Sequence, residues 1–256
     1  MANKVRFGAV IIGDEILSGK RQDKHLPRVI DLLADRGLEL TWARYAGDDD
    51  EMLIHIFRET LAAGDIVFSF GGIGGTPDDR TRQAVAAAAG RPLVPHPQGI
   101  AELRARFPAA ELTPQRLRMI EFPEGAELIP NPVNRVPGFS FGSHHFVPGF
   151  PNMAWPMIEW VLDNRYAALQ APGTIAEQAI LVHDCRESQI TELMEQYVAR
   201  YPALRMSCLP QSEGEGYRLE LGLRGEPVLV AEAMRALQRD VSALGFRWQP
   251  VVLRRG

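Results

Sequence analysis

Phe70-Gly71-Gly72-Ile73-Gly74-Gly75-Thr76-Pro77-Asp78-Asp79-Arg80-Thr81 decides the fold. The apolar run Asp65 to Phe70 leads into it and the alanine-rich run Gln83 to Ala89 leads out, so the chain reads strand, glycine-rich turn, helix. That order places backbone N–H groups and a helix N-terminus at one edge of a sheet, where a phosphate can sit. Gly71, Gly72, Gly74 and Gly75 together cost more chain entropy than a simple strand-to-helix turn requires, which points to close approach of a ligand to the backbone. Asp78 and Asp79 stand in the same turn. Carboxylates repel phosphate, so their presence suggests a divalent metal between them, or acid–base work. The same residues also read as a plain helix start, with Thr76 as N-cap, Pro77 at the first helical position and Asp79 three residues after the cap.

Upstream of the turn, Val5 to Ile12 is a nearly continuous apolar run, as expected of a strand covered on both faces. Leu26, Val29, Ile30 and Leu33 recur at helical spacing, Leu38 to Ala46 is a second strand, and Leu53, Ile56, Phe57 and Leu61 mark a second helix. With Asp65 to Phe70 as third strand and Asp78 to Ala89 as third helix, the alternation implies a parallel sheet with right-handed crossovers. Gly90 to Pro151 is rich in Pro and Gly, with helical signals at Gln98 to Phe107 and Thr113 to Ile120. Met153 to Tyr166 reads as a closing helix, and Pro172-Gly173 as a domain boundary. The expected division is therefore 1–170 and 173–256.

The second part has another rhythm: a strand at Ala179 to His183, a helix through Ile190, Leu193, Met194, Tyr197 and Val198, and a strand at Leu204 to Leu209. A turn at Ser212 to Gly216 follows, then a strand at Tyr217 to Leu223, a helix at Pro227 to Leu244 and a strand at Phe246 to Leu253. The order βαββαβ is the ferredoxin-like arrangement.

The chain has 256 residues, 46% hydrophobic and 23% charged, with a formal net charge of −4. No basic stripe is present, which argues against nucleic-acid binding. No run has the length of a membrane span or a signal peptide. Cys185 and Cys208 form no dense disulfide framework, so a reducing cytoplasm fits and both read as buried free thiols.

Two further acidic turns follow the first two strands: Gly13-Asp14-Glu15 and Gly47-Asp48-Asp49-Asp50. In an open parallel sheet, the strand C-termini share one edge with the glycine turn, and ligands bind there. Asp48 to Asp50 also suit the cap of the second helix. Glu15 suits a polar ring or phosphate, or a surface loop. His144-His145 resembles a metal pair, but neighbours in a strand point to opposite faces.

Taken together, Gly13-Asp14-Glu15-Ile16-Leu17-Ser18-Gly19, Gly47-Asp48-Asp49 and the Gly71 to Thr81 stretch resemble the molybdopterin-binding (MoaB/Mog-like) domain, in the form found in competence/damage-inducible protein A (CinA). Val147-Pro148-Gly149-Phe150-Pro151-Asn152-Met153 is similar to that family's Leu-Pro-Gly-Val-Pro-x-Glu-Met segment. The resemblance covers roughly residues 5–168. It implies a three-layer α/β fold with a mostly parallel sheet, a pocket for a pterin or nucleotide phosphate, and a dimer or trimer. By motif match, Asp79 takes the position of the acid before x-Thr that is linked to catalysis in the adenylylating branch, Asp48 that of the family's acid after strand two, and Glu15 that of the Gly-Asp-Glu acid. Ile12 and Phe70 depart from the pattern by standing where relatives often have a hydroxyl residue, and Asn152-Met153 lacks the Glu of the usual segment. The resemblance further implies that the deamidase domain of full-length CinA is missing from this chain.

The leading expectation is a pocket for a molybdopterin-like or nucleotide ligand. In it Asp14, Asp48 and Asp79 hold a divalent metal (Mg2+ or Co2+), while Gly13, Glu15, Gly71, Gly72, Gly74, Gly75 and Thr76 hold phosphate and ring. If the site is catalytic, with Asp48 and Asp79 as the catalytic pair, the reaction is hydrolysis of a nucleotide pyrophosphate bond of the ADP-ribose type. The alternatives are a non-catalytic binding module and a molybdopterin adenylyltransferase.

Overall fold

The apolar residues of the first three strands alternate between two cores. In a computed structural model that describes residues 5–108, 112–211 and 216–252, strands β1 (Phe7–Ile12) and β3 (Ile66–Phe70) send Phe7, Ala9, Ile11, Ile66, Phe68 and Phe70 to one face. Val10, Ile12 and Val67 go to the other. A sheet buried on both faces needs a helical layer on each. Helices α2 (His25–Ala34) and α7 (Pro151–Arg165) cover the first face. Helices α3 (Asp50–Ala63), α4 (Thr81–Ala89) and α5 (Pro97–Arg106) cover the second. The result is the three-layer α/β arrangement the motifs implied.

The central sheet has six strands in the order β2-β1-β3-β8-β7-β6. Here β2 is Leu40–Ala46, β6 Glu127–Ile129, β7 Gly138–Phe141 and β8 His144–Val147. The pairings β1·β2, β1·β3 and β3·β8 are parallel, and β8·β7 and β7·β6 are antiparallel. A short α1 (Asp14–Leu17) follows β1, and α5 and α6 (Pro114–Arg118) lie in the chain between the two strands of a small ribbon, β4 (Leu93–Pro95) and β5 (Glu121–Pro123).

Three expectations need correction. The Pro- and Gly-rich stretch, read for its helical signals, also supplies strands β4 to β8. These strands are three or four residues long, too short for a period-two pattern to stand out. Helix α4 starts at Thr81, with Arg80 in the N-cap position and no side-chain cap, rather than at Asp78. Thr76 therefore does not cap it. The last strand runs Trp248–Val251, and the turn expected at Ser212 to Gly216 falls, except for Gly216, outside the described residues.

By internal contacts the chain divides into two units, Met1–Ala34 with Leu38–Gln170, and Asp35–Gly37 with Ala171–Gly256. In the second, β9 (Ala176–His183), β10 (Arg205–Gln211), β11 (Arg218–Gly225) and β12 (Trp248–Val251) form an antiparallel sheet ordered β10-β11-β9-β12. Ile180, Val182, Leu219, Leu221 and Leu223 pack against α8 (Glu187–Arg200) and α9 (Pro227–Ala243). Cys185 is a buried free thiol in this core, and Cys208 is free and half-buried. Burial pushes both thiols above the ordinary range, which suits inert packing.

Candidate functional site

Register places the three acidic turns side by side. Ile12 pairs with Ala46, Ile11 with Phe70, and Phe70 with Val147. The residues that follow, Gly13, Gly47, Gly71 and the Pro148-Gly149 pair, therefore line one rim. Gly13 N–H donates to Ala46 O at 3.0 Å and Gly71 N–H to Val147 O at 3.0 Å, so the ladder extends into the loops.

The first two turns are tied to each other. Asp14 N–H donates to Asp48 Oδ2 at 3.1 Å, and Asp48 N–H donates to Asp14 Oδ1 at 3.2 Å. Gly47 permits this close approach, because a Cβ there would lie 2.5 Å from Asp14 Oδ1. The Asp48 carboxyl is pushed above the usual carboxylate range, mainly by burial. The Asp14 N–H opposes the shift, while the charges of Asp14, Glu15 and Asp78 add to it. Those three carboxylates are thus the acidic neighbours that Asp48 feels. Each of the paired aspartates spends one oxygen on the other's backbone, and its second oxygen has no hydrogen-bond partner among the described residues.

Asp49 and Asp50, the other acids of that turn, do different work. Asp49 caps α3 by accepting from Met52 N–H at 2.8 Å. Asp50 binds the Arg80 guanidinium, with Arg80 Nε 2.6 Å from Asp50 Oδ1, and so anchors the glycine turn to α3.

Asp79 turns back on its own loop. Its Oδ2 accepts from Thr76 N–H at 2.9 Å and Thr76 Oγ1 at 2.5 Å. This completes only the backward half of a capping box, in a turn that closes before the helix begins. The expected trio Asp14, Asp48 and Asp79 is not assembled. Among the described residues no three His, Cys, Asp or Glu side chains gather for a metal. The pair Asp14 and Asp48 remains, and two carboxylates with ligand phosphates can satisfy Mg2+.

The glycine turn itself is held from behind. Thr81, fully buried, donates from Oγ1 to Gly71 O at 3.0 Å and from N–H to Gly72 O at 3.0 Å. Gly72 sits at φ +67°, and a Cβ there would be 2.2 Å from Thr81 Oγ1. Arg82, buried, donates to Gly74 O at 2.6 Å and to Arg118 O. With the carbonyls of Gly71, Gly72 and Gly74 drawn inward, the N–H groups of Gly72, Ile73, Gly74 and Gly75 have no hydrogen-bond partner among the described residues.

Sequence reasoning passed over Arg82 and His25. His25 stacks on Phe70 (ring centroids 4.5 Å apart), and its Nε2 lies 3.2 Å from Gly149 O. Burial lowers its pKa, so the ring is neutral at pH 7. Its helix is capped by Asp23, which accepts from the N–H groups of His25 (2.7 Å) and Leu26 (3.1 Å). The signal was present as Asp23-x-His25 ahead of an apolar-periodic run. Phe70, which stands where a hydroxyl was expected, packs under His25 and is buried.

Glu15 is exposed, 3.9 Å from Arg21. The two histidines of β8 face opposite ways, as neighbours in a strand must. His144 Nε2 meets Thr60 Oγ1 at 2.8 Å, while His145 meets Ser140 Oγ at 2.8 Å and Tyr166 OH at 2.7 Å.

A family model described as "Probable molybdopterin binding domain" matches residues 8–168. A CinA-like protein of Anaeromyxobacter dehalogenans is 38% identical over 173 residues, 64% of this chain and 42% of that one. Another from Desulfosudis oleivorans is 30% identical over 201 residues, 75% of this chain and 49% of that one. The chain thus spans less than half the length of these relatives. The solved structure of a CinA protein of unknown function from Thermoplasma acidophilum is 27% identical, with a TM-score of 0.56 over 62% of this chain and 98% of that one. No helix among the described residues is long and apolar enough to cross a membrane.

Proposed function

The chain belongs to the family of molybdopterin-binding domains, of the CinA-like type, and from that premise we propose that the rim binds a pterin or nucleotide through its phosphate. The observation that carries this reading is the run of four unbonded N–H groups at Gly72, Ile73, Gly74 and Gly75, beside the Asp14–Asp48 pair. Successive backbone donors at a strand-to-helix turn are a ready anion seat. The carboxylates next to that seat oppose an anion unless a cation stands between. A divalent cation on the free oxygens of Asp14 and Asp48 would neutralise both, and when bound it supplies charge neutralisation for the phosphate. Asp79 and Thr76 keep the turn in shape, and Arg82 and Thr81 aim its donors outward.

A second reading, hydrolysis of a nucleotide pyrophosphate bond, draws on the raised pKa of Asp48, which puts a carboxyl beside the phosphate seat nearer to working as an acid or base. Asp79 enters that reading through the turn it shapes. Titration of the full chain with ADP-ribose, FAD and ATP, each with Mg2+ and with Co2+, tests both. Saturable, cation-dependent binding that Asp48→Asn weakens by about tenfold or more is expected. Product release adds the hydrolytic reading. Equal binding with and without cation, unchanged in Asp48→Asn, would remove the carboxylate pair from the site.

A further inference from the structure

Helix α6 packs against the glycine turn. A Cβ at Gly75 would lie 3.0 Å from Gln115 O and 3.0 Å from Met119 Cγ, so the helix touches the last glycine of the run. At the other end, a Cβ at Gly71 would lie 2.5 Å from Ile12 O, just ahead of Gly13 and Asp14. The turn therefore spans from the acidic pair to α6. Arg82 fixes the second seam. Its guanidinium donates to Gly74 O at 2.6 Å and to Arg118 O, so one fork holds a carbonyl of the turn and the last carbonyl of α6.

Four arginines stand around this seam, and three are committed. Arg80 is bound to Asp50. Arg82 is spent on the two carbonyls. Arg116 lies over Phe107, its guanidinium carbon 4.1 Å from the ring centroid. Arg118 is exposed, and among the described residues its side chain has no hydrogen bond or ion pair, with Glu121 of β5 included. Its charge nevertheless reaches the turn. Burial holds the Arg82 pKa below the ordinary value, Asp79 and Glu121 oppose that shift, and Arg118 adds to it. Two guanidiniums that feel each other are a cost to the empty protein, and an anion between them removes it.

We propose that the Arg118 guanidinium binds the ligand's phosphate from the Gly75 end of the turn, as partner to the four backbone donors of Gly72 to Gly75. The assignment rests on the phosphate seat read above and names the side chain that completes it. A guanidinium presents its N–H groups as a planar fork that takes two oxygens of one phosphate. A cation on Asp14 and Asp48 would stand at the Gly71 end, so the phosphate is neutralised from both sides. Arg82 does not touch the ligand. It is a positioning residue that keeps the Arg118 backbone against the turn.

Titration of the full chain with the tightest-binding of ADP-ribose, FAD and ATP, in Mg2+ at low and at high NaCl and beside melting curves, tests it. Wild-type binding should weaken as salt rises, because an exposed cation is screened. Arg118→Ala should weaken binding by about tenfold and flatten that salt dependence. Its unfolding temperature should hold, since the group Arg82 grips is the backbone carbonyl. Arg118→Lys keeps the charge and loses the fork, so it should bind between the two and retain the salt dependence. Arg118→Ala binding as tightly as wild type, or with the full salt dependence, would overturn this assignment and leave the phosphate seat standing. A loss in Arg118→Ala that comes with a lowered unfolding temperature and is not restored by Arg118→Lys would mark a structural role and overturn it as well. No saturation of the wild type by any of the three probes would overturn the seat and this assignment together.

Discussion

Two glycines of the rim separate what serves the site from what serves the fold. At Gly47, an added Cβ would meet Asp14 Oδ1 at 2.5 Å, the far end of a side chain on an exposed residue. Gly47→Ala should therefore push the Asp14 carboxylate off the Asp48 N–H at little cost in stability. Cation-dependent ligand binding should drop by about tenfold, the worth of one charge-assisted contact, as read by titration beside a melting curve. At Gly72, the obstacle is Thr81, whose Oγ1, Cβ and backbone N all lie within 3.4 Å of the added atom, and the backbone stands at φ +67°. Thr81 is fully buried and cannot swing away. Gly72→Ala should cost about 2–3 kcal/mol of stability, seen as a lowered urea midpoint. If the two variants behaved alike, the division of labour along the rim would be wrong.

At the scale of elements, the acids of the second and third turns show what a sequence can and cannot say. Asp48-Asp49-Asp50 carries one composition and three fates: a partner for Asp14 across the rim, a helix cap and an anchor for Arg80. Spacing from the first apolar residue of α3 favours Asp49 as cap, since its side chain reaches Met52 N–H. Asp49→Ala should cost about 1 kcal/mol, with ligand binding intact, by chemical denaturation and titration on one preparation. The order of strands and helices through α4 was legible because β1 and β3 are nearly continuous apolar runs, β2 alternates in burial, and the helices between them carry apolar stripes. The start of α4 was not. Thr76-Pro77-Asp78-Asp79 carries every local sign of a cap, yet the chain closes a separate turn there and enters the helix five residues after Thr76, with Thr81 buried against the glycines. Long-range contact overrode local preference. The same holds for the Asp14–Asp48 tie, which joins residues 34 positions apart. Strand order predicted that the turns would share a rim, but not which carboxylates would meet.

Across the whole molecule, the β8 histidines couple folding to pH. Burial drives the His144 pKa down to about 4 and that of His145 to about 3, and nearby positive charge adds to the shift at His145. Both rings are neutral in the native state and find hydroxyl partners in the core, His144 at Thr60 and His145 at Ser140 and Tyr166. Once unfolded they titrate near the ordinary histidine value of about 6.5. Their native pKa values are depressed, so the unfolded chain binds more protons between 6.5 and the native values, and stability falls as pH drops through that window. Each histidine should remove about 2 kcal/mol between pH 6.5 and pH 5, from 1.36 kcal/mol per unit. Most carboxylates titrate below that range. Asp48, shifted upward, acts in the opposite sense and near the carboxylate range, so it does not produce the loss. Unfolding free energies from urea melts at pH 7 and pH 5 should therefore differ by several kcal/mol, with His25, also lowered by burial, adding in the same sense, and His145→Phe, which keeps the ring against Phe68 and removes the titrating group, should recover about half of what the two β8 rings contribute. A wild-type midpoint that stays flat between those two pH values would mean that these rings are solvated in the native protein, and the packing of β8 between its two helical layers would need to be redrawn.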